Sequence, residues 1–596
     1  MKAQKGGFVV CMLNWRESVK CAAVVACALW MAVLSASAQE FHRSPITSAI
    51  APASSAEPIT MSAGDAKTNE MLVLPVGNES TVIPALPPAL PNNVVGTRVS
   101  MADVDPALVK QIVLDYLSEL ENKKKDQEAL KRKEQLEKGV EVDNNPPLTA
   151  AWENNLFFTS PNKDWRVHLG GRFQFQTVFW NQPAYLKGPA PQNGGIPASV
   201  KGDGVGTLDD GAFFRRVRFR ADGTAYENVE FVTEVDFEQL NLVTFDHVWA
   251  GMKDIPFLGT VRVGQHKVPQ GMEMMASDYH LAFLEDRSAL FDAFWTLFAP
   301  GIFIANNFAN NNVSFQTMFH RIQPLGFYTS DFGDGNYAET TRMTWTPYYK
   351  DDGRYLVHVG GSYQYRTGDL GRTIQPGATG NAYADSQAVV RFRSRPELRD
   401  ATGVNIAGSG VLGGNTARFV DTGFLLGKNV QTISPEFLMN WGPFAIQAEA
   451  AVARVQDARS IYPSSAFNTP RGSPTFWGGY VETSYFITGE NRSYDRRFGV
   501  FDRPKLNQNM YFVRGDDGCI HYGLGAWQIA YRCSYLDLND NGINGGQLLQ
   551  HSAGLNWYMN DNLKVQFMYN NANRNVISPA TSGTVQGFGT LVQWYF

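Results

Sequence analysis

This chain is short of the residues on which disulfide-stapled domains and hydrolases depend. Of 596 residues only five are cysteine, and Cys11, Cys21 and Cys27 lie within the first 27 positions. Cys519 and Cys533 are too few for a disulfide framework; two free thiols and one bridge both fit their placement. The nine histidines are scattered, with no H-E-x-x-H pair and no G-x-S-x-G elbow. That speaks against a metalloprotease or an esterase, so no catalysis, metal or other cofactor is expected. A formal net charge of −5 gives no broad basic footprint, so no nucleic-acid partner is expected. Beyond residue 38 there is no apolar run of about 18 residues, which excludes an ordinary membrane-crossing helix.

What is present begins with an export signal. Lys2, Lys5, Arg16 and Lys20 precede the apolar stretch Cys21–Leu34, and Ala36–Ala38 forms an A-x-A cleavage pattern. Residues 1–38 therefore read as a signal peptide. Residues 39–100, rich in Pro, Ala and Ser, read as a disordered leader. A charged helix is expected over 101–140, with Pro106 in its first turn and Val109, Val113, Tyr116 and Leu120 in a 4-3-4 coiled-coil seam. An oligomerisation stalk and a solvated spacer both suit that pattern. "DNNPPLTA" (143–150) breaks the helix.

From about 151 to 596 the period changes to two. In "DWRVHLGGRFQFQTVFW", Val167, Leu169, Phe173, Phe175 and Phe179 share one face, and His168, Arg172, Gln174 and Gln176 the other. The run is far longer than the usual strand of about 5–6 residues. "GAWQIAYRCSYLDL" and "LKVQFMYN" repeat the plan: Trp527, Ile529 and Tyr531 against Gln528 and Arg532, then Val565 and Phe567 against Lys564 and Gln566. Long amphipathic strands without membrane helices imply an all-β transmembrane antiparallel barrel, closed because an open edge cannot face lipid. Between 16 and 18 candidate strands can be counted, and an even number of 16 is expected. The final "TLVQWYF" puts Val592, Trp594 and Phe596 on one face, which resembles the assembly signal of outer-membrane barrels.

Two arginine rows face the polar side. "AFFRRVRFRADG" carries Arg216, Arg218 and Arg220, and "VVRFRSRPEL" carries Arg391, Arg393 and Arg395. Guanidiniums suit phosphate because they are always charged and donate in pairs. The strand after the first row holds Glu230, Glu234 and Asp236. A turn centred near Ala225 would pair Arg220 with Glu230 and Arg216 with Glu234, leaving Arg218 free for a passing anion. Arg215 breaks the outward face and calls for snorkelling at the rim or a bulge. A long non-periodic stretch, His266–Gly301, is either an inward loop or an outer surface loop.

Several blocks together resemble the phosphate-selective porin O and P family of outer-membrane channels. They include "HLGGRFQFQ", "FFRRVRFRADGTAYENVEF", "VRVGQHKVPQGMEM", "FRSRPEL" and "WGGYVETSYFITGENRSYD", spread over about Trp165 to Phe596. The resemblance implies a 16-stranded, usually trimeric barrel, an inward third loop at Gln265–Phe294 and arginine ladders that draw anions. The matching anion-binding positions are Arg172, Arg215, Arg216, Arg218 and Arg220, with Arg391, Arg393 and Arg395. This chain departs in its lumen acids and in the loop acids Glu273, Asp278, Glu285, Asp286 and Asp292. The expectation is a bacterial outer-membrane porin, a homotrimer in outer-membrane lipid, passing small polar solutes with a preference for anions such as phosphate. The alternative is a non-selective or structural barrel tethered to the cell wall by its N-terminal helix.

Overall fold

The computed structural model describes residues 147–152, 155–187, 205–239, 242–284, 287–322, 337–368, 389–399, 418–460, 469–514, 520–577 and 582–596. The expected signal peptide, leader, helix and most of its linker lie outside the described residues, as do Cys519, Glu285 and Asp286. Cys533 carries a free thiol.

The period-two region folds as a closed antiparallel barrel of sixteen strands. The first four are β1 (Arg166–Asn181), β2 (Gly211–Ala225), β3 (Val229–Gln239) and β4 (Leu242–Ile255). Next come β5 (Gly259–Lys267), β6 (Phe298–Phe308), β7 (Val313–Arg321) and β8 (Tyr337–Lys350). Then follow β9 (Tyr355–Thr367), β10 (Asn429–Trp441), β11 (Phe444–Gln456) and β12 (Thr475–Phe486). The last are β13 (Ala526–Asp540), β14 (Ile543–Tyr558), β15 (Leu563–Asn575) and β16 (Gly583–Tyr595). Each pairs with its sequence neighbour, and β16 returns to β1 from Gln586↔Asn181 to Tyr595↔Arg172. The alternation sorts as expected: Phe173, Phe175 and Phe179 are exposed on the outside, while Gln174 and Gln176 are buried inside. The segment around Gly301–Ala305 lies within β6, whereas 418–425 belongs to a loop holding the short strands Val420–Asp421 and Leu425–Leu426.

The seam explains a double glycine. Phe596 and Gly171 exchange backbone hydrogen bonds of 2.8 and 3.0 Å. A Cβ on Gly170 would lie 2.4 Å from the Phe596 carbonyl oxygen, so the close approach needs glycine there. Beyond Phe596 a short strand, Leu156–Thr159, continues along β1 against Arg166–Leu169.

One end of the barrel carries short turns, such as 226–228, 256–258, 351–354 and 442–443, and the other carries the long connections 182–210, 268–297 and 368–428. In bacterial barrels the short turns are periplasmic and the long loops external. One connection breaks this pattern. Residues 487–525, between β12 and β13, emerge at the short-turn end yet span tens of residues, including a hairpin of Ser493–Asp495 and Val500–Asp502.

Candidate functional site

The arginines of β2 are placed by the turn that follows them. Tyr226 and Glu227 have φ values of 51° and 63°, and Ala225 still pairs with Val229. The strand thus runs further than a turn centred at Ala225 would allow, and each partner on β3 moves by four positions. Arg220 faces Glu234 and Arg218 faces Asp236. The expected pairs Arg220–Glu230 and Arg216–Glu234 do not form, and Arg218 is not free. Arg215 is the extra residue of a β-bulge, because Gln174 pairs with Arg216 and Phe175 with Phe214. The bulge turns Arg215 inward, where it is 4% exposed.

Loop 268–297 folds into the lumen and brings one carboxylate to these arginines. Its short helix α1 (Met272–Met275) is followed by a 3-10 turn, Asp278–His280, and then by α2 (Ala289–Phe294). Asp278 lies 3.0 Å from Arg216, 3.2 Å from Arg218, 3.1 Å from Arg287, and 3.7 Å from both Arg172 and Lys267. Burial alone would raise the Asp278 carboxyl, but the guanidiniums of Arg216, Arg172, Arg218 and Arg287 outweigh it and hold it well below the usual carboxylate range. Arg218 also reaches Asp236 at 2.6 Å and Asp246 at 2.5 Å. Arg172 reaches Glu234 at 2.8 Å, and Arg220 reaches Glu234 at 3.1 Å and Asp222 at 2.7 Å. The ring sets Arg172, Arg216, Arg218, Arg220, Lys267 and Arg287 against Asp222, Glu234, Asp236, Asp246 and Asp278. Among the described residues it holds one more basic side chain than carboxylate.

A second basic group lies against α2. Arg391 pairs with Asp421 at 2.8 Å, while Arg395 and Arg418 share Asp292. Burial would raise the Asp292 carboxyl, and Arg395 and Arg418 reverse it and hold it low. Arg215, Arg216, Arg287, Arg395 and Arg399 line a cavity of about 40 Å³ together with Asp292. Arg393 pairs through its backbone with Asp421. Among the described residues its guanidinium forms no ion pair or hydrogen bond. Burial, with the neighbouring Arg418 and Arg391, pulls Arg393 down to about 10, so it stays cationic at neutral pH. The structure thus brings Arg172, Arg216, Arg218 and Arg220 into one ring and places Arg391, Arg393 and Arg395 in the second group.

The far wall anchors the loops through acids that the arginine rows do not reveal. Arg532 of β13 bonds Glu273 of the loop and Glu482 of β12, each at 2.9 Å. Glu449 of β11 accepts the backbone N–H of Met272 at 2.5 Å and of Glu273 at 3.1 Å. Glu397 accepts hydroxyl bonds from Ser534 at 2.6 Å and Ser552 at 2.9 Å, tying residues 389–399 to the same wall.

The hairpin from the short-turn end enters as well. Arg342 of β8, fully buried, donates to the carbonyls of Phe498 and Gly499, each at 2.7 Å, and pairs with Glu436 at 2.6 Å. Sequence reasoning did not single out this hairpin; the signal was "ENRSYDRRFGVFDRP", charged and without a period of two. Between the hairpin, the inward loop and β1–β5 lie two adjoining cavities of about 510 and 540 Å³. Both are lined by His168, Arg220, Asp222, His280 and Asp502.

A family model described as phosphate-selective porin O and P matches residues 200–596. An uncharacterised protein of Caulobacter vibrioides is 26% identical over 441 residues, covering 71% of each chain. Porin O of Pseudomonas aeruginosa is 23% identical over 415 residues, covering 66% of this chain and 83% of that one. Among solved structures, OmpF of Salmonella typhi aligns at 13% identity with a TM-score of 0.40, covering 73% of this chain and 99% of that one. The anion-selective porin of Comamonas acidovorans aligns at 9% identity with a TM-score of 0.39, covering 72% of this chain and all of that one. With two thirds of its length matched, this chain belongs to the phosphate-selective porin O and P family, whose channel-forming barrels reside in the bacterial outer membrane.

Proposed function

We propose that this porin passes small anions, phosphate among them, by diffusion and without a covalent step, as a homotrimer. The observation that carries the reading is the second basic group. Five guanidiniums crowd a cavity of about 40 Å³, and Arg393, across Asp292 from it, forms no ion pair among the described residues. An anion from the long-loop end would exchange part of its hydration shell for guanidinium donors there. It would next meet the ring around Asp278, where nearly balanced charge keeps affinity low enough for release. The two larger cavities lead on to the short-turn end. The description of the matching family as phosphate-selective supports phosphate as a solute.

Planar-bilayer reversal potentials across a KCl gradient test this reading. Chloride preference is expected, with current reduced as phosphate is added. Arg393→Ala is expected to weaken that block by about fivefold or more, since one such charge at an effective dielectric of about 20 contributes of order 1–4 kcal/mol to a bound anion. Cation preference would sink the proposal.

A further inference from the structure

We propose that the outer face of the barrel carries a binding site for a phosphorylated lipid headgroup, built on Arg321 near the long-loop rim. Arg321 ends β7 and pairs with Tyr337 of β8. On β7 the side chains of Ser314, Gln316, Met318 and His320 are buried on the lumen side. The alternation places Arg321 with Phe319 on the outside. Yet Arg321 is only 4% exposed, and among the described residues none of its three guanidinium nitrogens has a hydrogen-bond partner or an ion pair. A buried, unpartnered guanidinium is costly, and the group that best relieves it is an oxyanion able to accept two parallel N–H bonds.

The surroundings select a lipid. Arg321 lines an outward groove of about 380 Å³ with Pro300, Phe319, Tyr337, Glu339 and Tyr365. Tyrosines at the end of a barrel strand mark the membrane interface, with their rings toward acyl chains and their hydroxyls toward headgroups. A ligand with a phosphate at Arg321 and an apolar chain along Phe319 and Tyr365 fits both halves of the groove. Glu339 is the one carboxylate there among the described residues. It is taken by the Thr317 hydroxyl at 2.9 Å and by that of Thr341, and it forms no ion pair with Arg321. The long-loop end faces outward, so the lipid belongs to the outer leaflet. This inference rests on the barrel and its orientation, and it stands whether or not the pore prefers anions.

The probe is bis-phosphorylated lipid A, offered to the purified detergent-solubilised barrel and read by native mass spectrometry. The fully dephosphorylated lipid and inorganic phosphate serve as comparisons. Wild type is expected to retain the phosphorylated lipid at least fivefold better than the dephosphorylated one. Arg321→Gln is expected to abolish that difference, with pore conductance unchanged. Arg321→Lys, which keeps the charge, should hold most of it and serves if the Gln variant fails to fold. Equal binding of the two lipids by wild type would overturn the proposal, as would undiminished preference in Arg321→Gln. Displacement of the lipid by millimolar inorganic phosphate would assign the arginine to a free anion instead.

Discussion

Asp278 is a single carboxylate with five cationic side chains around it, so its charge decides two properties at once. It cancels part of the field that an arriving anion feels, and it fastens loop 268–297 to β1 and β2. Replacing it by asparagine keeps the shape and removes one negative charge. The half-blocking phosphate concentration should then fall roughly tenfold, a change of about 1.4 kcal/mol. Removing one partner of a buried ion-pair network typically costs about 3–5 kcal/mol, so the temperature at which the variant unfolds in detergent should fall too. A block unchanged by Asp278→Asn would place the selecting charges elsewhere. The same network corrects the role of Arg218. Its side is evident from the alternation, but its partners depend on where a tight turn falls, and nothing local in "ADGTAYENVE" announces left-handed Tyr226 and Glu227. Arg393 is the row arginine without an ion pair among the described residues, because Asp421 and Asp292 beside it are taken by Arg391, Arg395 and Arg418.

At the level of elements, the inward loop is held by carboxylates whose folded values are depressed, Asp278 and Asp292. For such a group the stabilisation is complete above the unfolded value of about 3.9 and is lost as pH falls through the still lower folded value. The Asp278 and Asp292 contacts should therefore weaken only as pH falls below about 4. Single-channel conductance recorded in steps of pH would show open-channel noise rising below about pH 4; no such rise would contradict the assignment. Strands were the legible elements. A period of two is written into each strand by the bilayer on one side and polar side chains on the other, so faces and barrel closure follow from local pattern, and the strand count to within 16 to 18. Loops were legible only as interruptions. Whether His266–Gly301 goes in or out depends on Arg532, Glu482 and Glu449, which are distant in sequence and meet the loop only after closure. Arg215 shows the boundary between the two cases: its misplaced charge is visible in "FFRRVRF", and the bulge that accommodates it is one of two readings of that irregularity.

Across the whole molecule the lumen is narrowed from both ends, and the two intrusions have different chemistry. Loop 268–297 and residues 389–399 bring arginines from the long-loop end. The hairpin from the short-turn end presents backbone carbonyls to Arg342 and packs Phe501 against Arg492, whose guanidinium lies 3.9 Å from the ring centre. Selectivity and bore should therefore be separable. Deleting residues 493–502 with a short glycine bridge removes the hairpin and leaves the wall intact, because Arg342 keeps Glu436 and the β12–β13 ladder runs from Trp477↔Asp537 to Phe486↔Gln528 without it. Conductance in such a variant is expected to rise by roughly a factor of two or more, since a side-chain-filled section of pore becomes open to water. Its reversal potential should keep the anionic sign, since the ring around Asp278 and the group around Arg393 are untouched. Unchanged conductance would mean that loop 268–297 alone limits flow; a reversed sign would mean that Arg496 or Arg497 sets the charge preference.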